Sequence, residues 1–197
     1  TYSLKGISLS ANWMWPAKNK GEDARLYKAV EAVSNFALEL GINIPTGKDS
    51  LSMTQKYDNE LVYAPGTVII SAAAEVSDIK NTISPVLIND TETSIFYINI
   101  SGDDYKLGGS SFAQINNKIG KSTPTIKNSA SFIKTFNAVQ KLISDNKILS
   151  GHDISAGGMI TTLLEMCFAN NNTGLDIDLS QLNEKDIIKL LFSENPG

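Results

Sequence analysis

The sequence predicts a mixed α and β fold, and three observations carry that prediction. Of its 197 residues, 42% are hydrophobic and 19% charged, the balance of a chain that buries an ordinary core. Leu26, Val30, Val33, Ala37 and Leu40 recur at alternating steps of four and three, which places them on one face of a helix. Thr67–Ala74 and Ile95–Ile100 are short apolar runs bounded by turn residues, the pattern of strands. Helices and strands then alternate without an internal repeat, so the class is α/β (mixed α+β).

Taken in order, the first helix opens at Gly21-Glu22-Asp23 and closes on Gly41, a natural C-terminal cap. Ile42–Pro45 reads as a short strand that runs into a polar glycine turn, Thr46-Gly47-Lys48-Asp49-Ser50. Thr67–Ala74 reads as a buried strand, and the polar stretch Asp78–Pro85 after it marks a domain boundary, dividing the chain into 1–84 and 85–197. Beyond it, the strand Ile95–Ile100 ends at Ser101-Gly102-Asp103-Asp104, and Leu107-Gly108-Gly109-Ser110-Ser111 leads into a helix through Ile119. Phe132, Ile133, Phe136, Val139, Leu142 and Ile143 mark a second amphipathic helix. A short strand, Ile148–Ser150, delivers Gly151–Gly158 to an apolar helix over Met159–Ala169, stopped by Asn170-Asn171-Asn172. Leu175, Ile177 and Leu179 alternate with Asp176 and Asp178 as a half-exposed strand, and a last helix covers Glu184–Phe192. Both ends read as cut: Thr1-Tyr2-Ser3-Leu4 has no initiator methionine, and Ser193–Gly197 stops on turn residues.

Composition excludes several classes. A formal net charge of -4, with Arg25 as the sole arginine, offers no general attraction to a phosphate backbone, so nucleic acid is not an expected partner. The chain has no apolar run of about 18 residues and no leader pattern, which argues against a membrane partner and for a cytoplasmic setting. The single cysteine, Cys167, lies in an apolar run and reads as a buried structural thiol. Zinc clusters and a Ser/His/Asp triad would both need His152, the sole histidine, which lacks supporting partners in the sequence.

The strongest local signal is His152-Asp153-Ile154-Ser155-Ala156-Gly157-Gly158 at a junction between strand and helix. Such a junction presents free backbone N–H groups and the positive end of a helix dipole, which suit phosphate oxygens. Asp153 can hold the Mg²⁺ that accompanies a nucleotide, because hard cations prefer carboxylate oxygen and keep few protein ligands. Ser155 can donate its hydroxyl to a phosphate, and the glycines allow close approach. The competing reading is that Asp153 or Ser155 caps the helix and the glycines pack it. Lys48 and Asp49 could contact a phosphate and a metal or hydroxyl, although the segment lacks Walker spacing and also reads as an ordinary polar turn. Gly109 and Ser110, in the loop Gly102–Ser111, could form an anion nest at a helix start. Trp13 and Trp15 offer either a stacking surface or core packing.

Four motifs in order, Ser8-Leu9-Ser10-Ala11-Asn12-Trp13-Met14, Gly21-Glu22-Asp23-Ala24, Pro45–Met53 and His152–Gly158, resemble the family of large, single-chain formylglycinamide ribonucleotide amidotransferases. The resemblance covers essentially the whole chain. It implies the aminoimidazole ribonucleotide synthetase-like fold: 1–84 as the C-terminal part of an N-type subdomain and 85–197 as a C-type domain truncated at its end. It also implies an ATP-dependent ligase of de novo purine biosynthesis, whose substrates are formylglycinamide ribonucleotide, ATP and glutamine. The resemblance further implies that this second synthetase half holds ATP or ADP with Mg²⁺ as a structural ligand. On this resemblance Asp153 matches a metal ligand and Ser155 a nucleotide contact. The remaining family metal ligands, the glycine-rich ATP loop of the first half and the glutaminase with its nucleophilic cysteine have no match in the chain. The segment is expected to pair with the first half and the glutaminase, and to be inactive alone.

Overall fold

In the computed structural model, residues 3–170 and 172–197 are described, so Thr1, Tyr2 and the Asn171 of the expected helix stop lie outside the described residues. The fold is mixed α and β, as expected, and the chain divides into two compact units, Thr1–Ser77 and Asp78–Gly197.

The first unit is built on a three-stranded sheet. Strands β1 (Ile7–Met14), β2 (Asn43–Ser50) and β5 (Thr67–Ala74) lie in the order β2-β1-β5, with β1 parallel to β2 and antiparallel to β5. Helix α1 (Glu22–Leu40) links the parallel pair, and Gly41 caps it in the left-handed conformation. The hairpin β3 (Thr54–Tyr57) and β4 (Glu60–Tyr63) forms a separate two-stranded ladder. The indole of Trp15 is buried, with the Arg25 guanidinium 5.7 Å from its ring centroid, so packing rather than an open stacking surface accounts for it.

Two sequence expectations fail in this unit. Thr46–Ser50 is not a turn: β2 continues through it, pairing Thr46 with Ser10, Gly47 with Ala11, Lys48 with Asn12, Asp49 with Trp13 and Ser50 with Met14. Cross-strand pairing overrides the weak strand preference of Gly, Lys and Asp. A Cβ on Gly47 would stand 2.2 Å from the Ala11 carbonyl oxygen, so the glycine serves strand contact rather than turning. Thr67–Ala74 is a strand but not a buried one. It is an edge strand of the sheet, and Ile69 and Ile70 are 52% and 40% exposed.

Among the described residues, the second unit contains four α-helices joined by long segments outside any helix or strand apart from a short 3-10 turn at Ile79–Asn81: α2 (Ser111–Ile115), α3 (Ser129–Ser144), α4 (Gly158–Phe168) and α5 (Ile187–Phe192). Its core draws on Leu87, Ala113, Met159, Met166 and Leu190. Phe112 and Phe192 hold α2 to α5 with ring centroids 4.8 Å apart. Cys167 is half-buried rather than fully buried, and it is a free thiol.

Among the described residues, the expected strands Ile95–Ile100, Ile148–Ser150 and Leu175–Leu179 enter no ladder. Alternation of side chains reports two unlike faces, whereas a strand also needs a neighbour in register. The residues just after the first two stretches make isolated backbone bonds: Ser101 N–H to the Pro196 carbonyl at 2.8 Å and Gly151 N–H to that of Ser84 at 3.1 Å. Helix α2 ends at Ile115, short of Ile119, because Asn117 turns left-handed (φ 53°) and Lys118 N–H closes back on the Ala113 carbonyl. Helix α5 starts later than expected, where Asp186 caps it by accepting from Ile188 and Lys189 N–H.

Candidate functional site

His152–Gly158 forms the turn that enters α4. Gly157 (φ 90°) and Gly158 (φ 76°) are both left-handed, a conformation in which a side chain is strained. At Gly158 a Cβ would also stand 2.7 Å from the Leu191 carbonyl oxygen, so this glycine lets α4 begin against the end of α5. The N-cap is Gly157, with no side-chain cap. The capping alternative for Asp153 and Ser155 is thereby removed, because the glycine pair sets the helix start.

The backbone of the turn is fixed while the candidate side chains Asp153 and Ser155 are exposed. Thr162 Oγ1 donates to the Asp153 carbonyl at 3.0 Å, and Ile154 N–H donates to the Gly197 carbonyl at 3.0 Å. The Asp153 side chain is 79% exposed, with Oδ1 3.4 Å from His152 Nδ1. On its other edge His152 Nε2 meets Glu165 Oε2 at 3.0 Å, a tie from the turn to the body of α4. Ser155 is exposed. A single exposed carboxylate suits a Mg²⁺ that keeps waters and phosphate oxygens as its other ligands, and Ser155 two residues on suits an adjacent phosphate. Among the described residues, no group of three or more His, Cys, Asp or Glu side chains is arranged to hold a metal. Asp153 can therefore supply only part of a coordination shell.

Gly109 and Ser110 are brought to this turn through a residue the sequence did not single out. Glu194 Oε1 accepts from Gly157 N–H at 2.9 Å and from Ser111 N–H at 2.7 Å, joining the two helix starts. Burial works against ionisation of Glu194, but the bonds from Gly157 and Ser111 outweigh it and hold its pKa below the ordinary value. The neighbouring N–H groups are also engaged: Gly108 donates to Ser122, Gly109 to Ile119 and Ser110 to Leu107, each through a carbonyl oxygen. The Ser110 hydroxyl donates to the Leu107 carbonyl and receives Ala113 N–H, capping α2. Lys48 and Asp49 lie on β2, in the other unit, where the Lys48 ammonium bonds the Ser50 hydroxyl.

The loop carrying Gly109 and Ser110 is anchored by a buried polar network. The Asp103 carboxylate pairs with Lys106 and with Lys127, the latter at 2.7 Å, and hydrogen bonds from both hold its pKa far below the ordinary carboxylate range. Asn195 Nδ2 donates to Ser101 Oγ (3.1 Å) and the Asp104 carbonyl (3.0 Å), and its Oδ1 accepts from Lys106 N–H (3.2 Å). Ser193–Gly197 thus straps the 101–111 loop to the 152–158 turn. Read from the sequence, it offered only turn residues.

Comparison with known proteins gives a consistent picture. Residues 1–75 match the FGAR-AT PurM_N-like domain, and residues 99–197 match the C-terminal domain of AIR synthase related proteins. The chain is 38% identical over 195 residues to human (Homo sapiens) phosphoribosylformylglycinamidine synthase, covering 98% of this chain and 14% of that protein. It is 39% identical over 196 residues to a probable chloroplastic/mitochondrial phosphoribosylformylglycinamidine synthase of Arabidopsis thaliana, covering 99% and 14%. With a probable phosphoribosylformylglycinamidine synthase of Caenorhabditis elegans it shares 40% identity over 206 residues, covering 98% and 16%. The chain spans 14–16% of the length of these curated relatives.

Proposed function

The chain belongs to the AIR synthase related family and, within it, to the formylglycinamide ribonucleotide amidotransferases, and on that premise we propose that it contributes a Mg-nucleotide site to an ATP-dependent ligase. The reaction of the whole protein is the conversion of formylglycinamide ribonucleotide, glutamine and ATP to formylglycinamidine ribonucleotide in purine biosynthesis. In this reading 1–84 is the end of an N-type subdomain and 85–197 a C-type domain, and both pair with a first synthetase half and a glutaminase. We place the reaction in the cytoplasm, in keeping with a chain whose single cysteine forms no disulfide.

The observation that carries the nucleotide site is the entry to α4. Its backbone is pinned at Asp153 and Ile154, its cap is a glycine, and Asp153 and Ser155 are left exposed with no capping duty. Asp153 would take one position on Mg²⁺ and Ser155 would donate to a phosphate oxygen, while Lys48, Asp49, Gly109 and Ser110 are weaker candidates for phosphate or substrate contact. The bound Mg²⁺ would neutralise charge on the phosphates. One carboxylate and one hydroxyl form a single wall of a site, so the segment alone should be inactive, because phosphoryl transfer needs positioning and charge stabilisation from several directions.

A second reading has its own support. The N–H groups at Gly108–Ser111 and Gly157 are already satisfied from within, by carbonyls and by Glu194. That favours a structural, non-catalytic half with an empty pocket. Nucleotide and metal content of the full protein, wild type against Asp153→Ala, separates the two. The nucleotide reading expects ADP or ATP with Mg²⁺ in the wild type and loss of both in the variant. Equal content in the two proteins would remove it, and an active, stable wild type without nucleotide would favour the structural half.

A further inference from the structure

We propose that Glu194 is a positioning residue for the nucleotide site: through one carboxylate oxygen it sets where the Asp153–Gly158 turn stands relative to the Gly108–Ser111 turn. The inference rests on the nucleotide reading of Asp153 and Ser155 and deepens it.

The geometry is specific. Both N–H groups converge on the same atom, Oε1, from Gly157 at 2.9 Å and from Ser111 at 2.7 Å. Gly157 lies two residues beyond Ser155 and caps α4, and Ser111 is the first residue of α2. The donors are far apart in sequence, 37 and 83 residues from Glu194, so the carboxylate is a tertiary tie and not a local cap. Its own backbone is held on both sides. Ser193 N–H and hydroxyl bond the Lys189 carbonyl, and the Asn195 amide bonds Ser101, Asp104 and Lys106. The carboxylate therefore projects from a fixed base.

Without it, two N–H groups at helix starts would lack an acceptor, and Gly157, a glycine with wide backbone freedom, would lose its anchor. The turn carrying Asp153 and Ser155 would then sample several positions. A partly built metal site that depends on one carboxylate tolerates this poorly, because a ligand out of place must be reordered at each binding event.

The chemistry supplies a conservative control. The amide oxygen of Gln carries two lone pairs and can accept both N–H groups at the same place, whereas Ala offers nothing. Ser111→Pro gives a second, independent cut. Proline is well tolerated at the first helical position, and Ser110 already has the extended conformation (φ -66°, ψ 157°) that precedes proline. This change removes both the N–H and the hydroxyl that Ser111 offers Glu194.

The test is the dissociation constant of Mg-ADP on the full protein that carries this chain, for wild type, Asp153→Ala, Glu194→Ala, Glu194→Gln and Ser111→Pro, with thermal unfolding of each. Glu194→Ala is expected to weaken binding about 10-fold or more, the usual cost of losing a supporting partner of a metal site. Glu194→Gln should stay within about threefold of wild type, since it keeps the accepting oxygen. Ser111→Pro should weaken binding in the same direction as Glu194→Ala. A purely structural role would lower the fraction of protein that binds and leave the dissociation constant of the folded molecules unchanged. Wild-type affinity in folded Glu194→Ala, or in Ser111→Pro if the former does not fold, overturns the positioning role while a weakened Asp153→Ala leaves the nucleotide reading intact. Wild-type affinity in Asp153→Ala removes the nucleotide reading and the positioning role with it.

Discussion

Two short polar segments with glycine, Thr46–Ser50 and His152–Gly158, look alike in sequence and end up in opposite situations. The first is absorbed into the sheet: each of its residues has a partner on β1, and Gly47 is there because the Ala11 carbonyl leaves no room for a Cβ. The second stays outside any ladder, and its glycines are left-handed and start a helix, leaving Asp153 and Ser155 exposed. Glycine and charge at the end of a strand do not by themselves make a ligand turn. What matters is whether the backbone is consumed by pairing or by entry into a helix.

Glycine replacement should separate the two segments most sharply. Gly158→Ala combines a left-handed φ with a Cβ 2.7 Å from a carbonyl oxygen, and we expect a loss of about 3 kcal/mol or more in denaturant unfolding. Gly47→Ala has no left-handed strain but drives a Cβ onto the Ala11 carbonyl. We expect about 2 kcal/mol, read out as faster amide exchange in β1 and β2. Should the second loss exceed the first, the assigned roles of the two glycines are reversed.

Acid should loosen the 101–111 loop and the strap that holds it. The Asp103 carboxylate is held low by Lys106 and then Lys127, so its folded pKa lies below its unfolded one. Its contribution is full above the ordinary carboxylate value of about 4 and is lost as pH falls from there toward the folded value. Glu194, also lowered, adds in the same window. Unfolding midpoints measured below about pH 5 should fall steeply for wild type and less steeply for Asp103→Asn, whose own stability is lower throughout. Parallel curves would contradict the assignment.

The smallest stability effect is expected at the proposed ligand itself. Asp153 is 79% exposed and caps nothing, so Asp153→Ala should change unfolding stability by less than about 0.5 kcal/mol. A large loss would mean that the carboxylate is structural after all.

The legible parts of this chain are those in which one local pattern determines the outcome. Helices α1 and α3 follow from side-chain periodicity and α4 from its apolar run, and Gly41 marks a helix end by conformational need. Among the described residues Ile95–Ile100 carries a strand's composition but enters no ladder, and no local pattern records whether a neighbour pairs in register. The site divides in the same way. Asp153 and Ser155 stand out because they precede a helix at close spacing. Glu194 does not, because its value lies in bonds to Gly157 and Ser111, which only the folded chain brings to one oxygen atom.

The central claim, that the α4 entry and not the β2 segment holds the Mg-nucleotide, is tested most directly by Mg-ADP binding to the full protein carrying Asp153→Ala or Lys48→Ala. The account predicts a loss of about 10-fold or more for Asp153→Ala and less than about threefold for Lys48→Ala, whose ammonium already bonds Ser50. Unchanged affinity in Asp153→Ala, or a larger loss in Lys48→Ala, would contradict it.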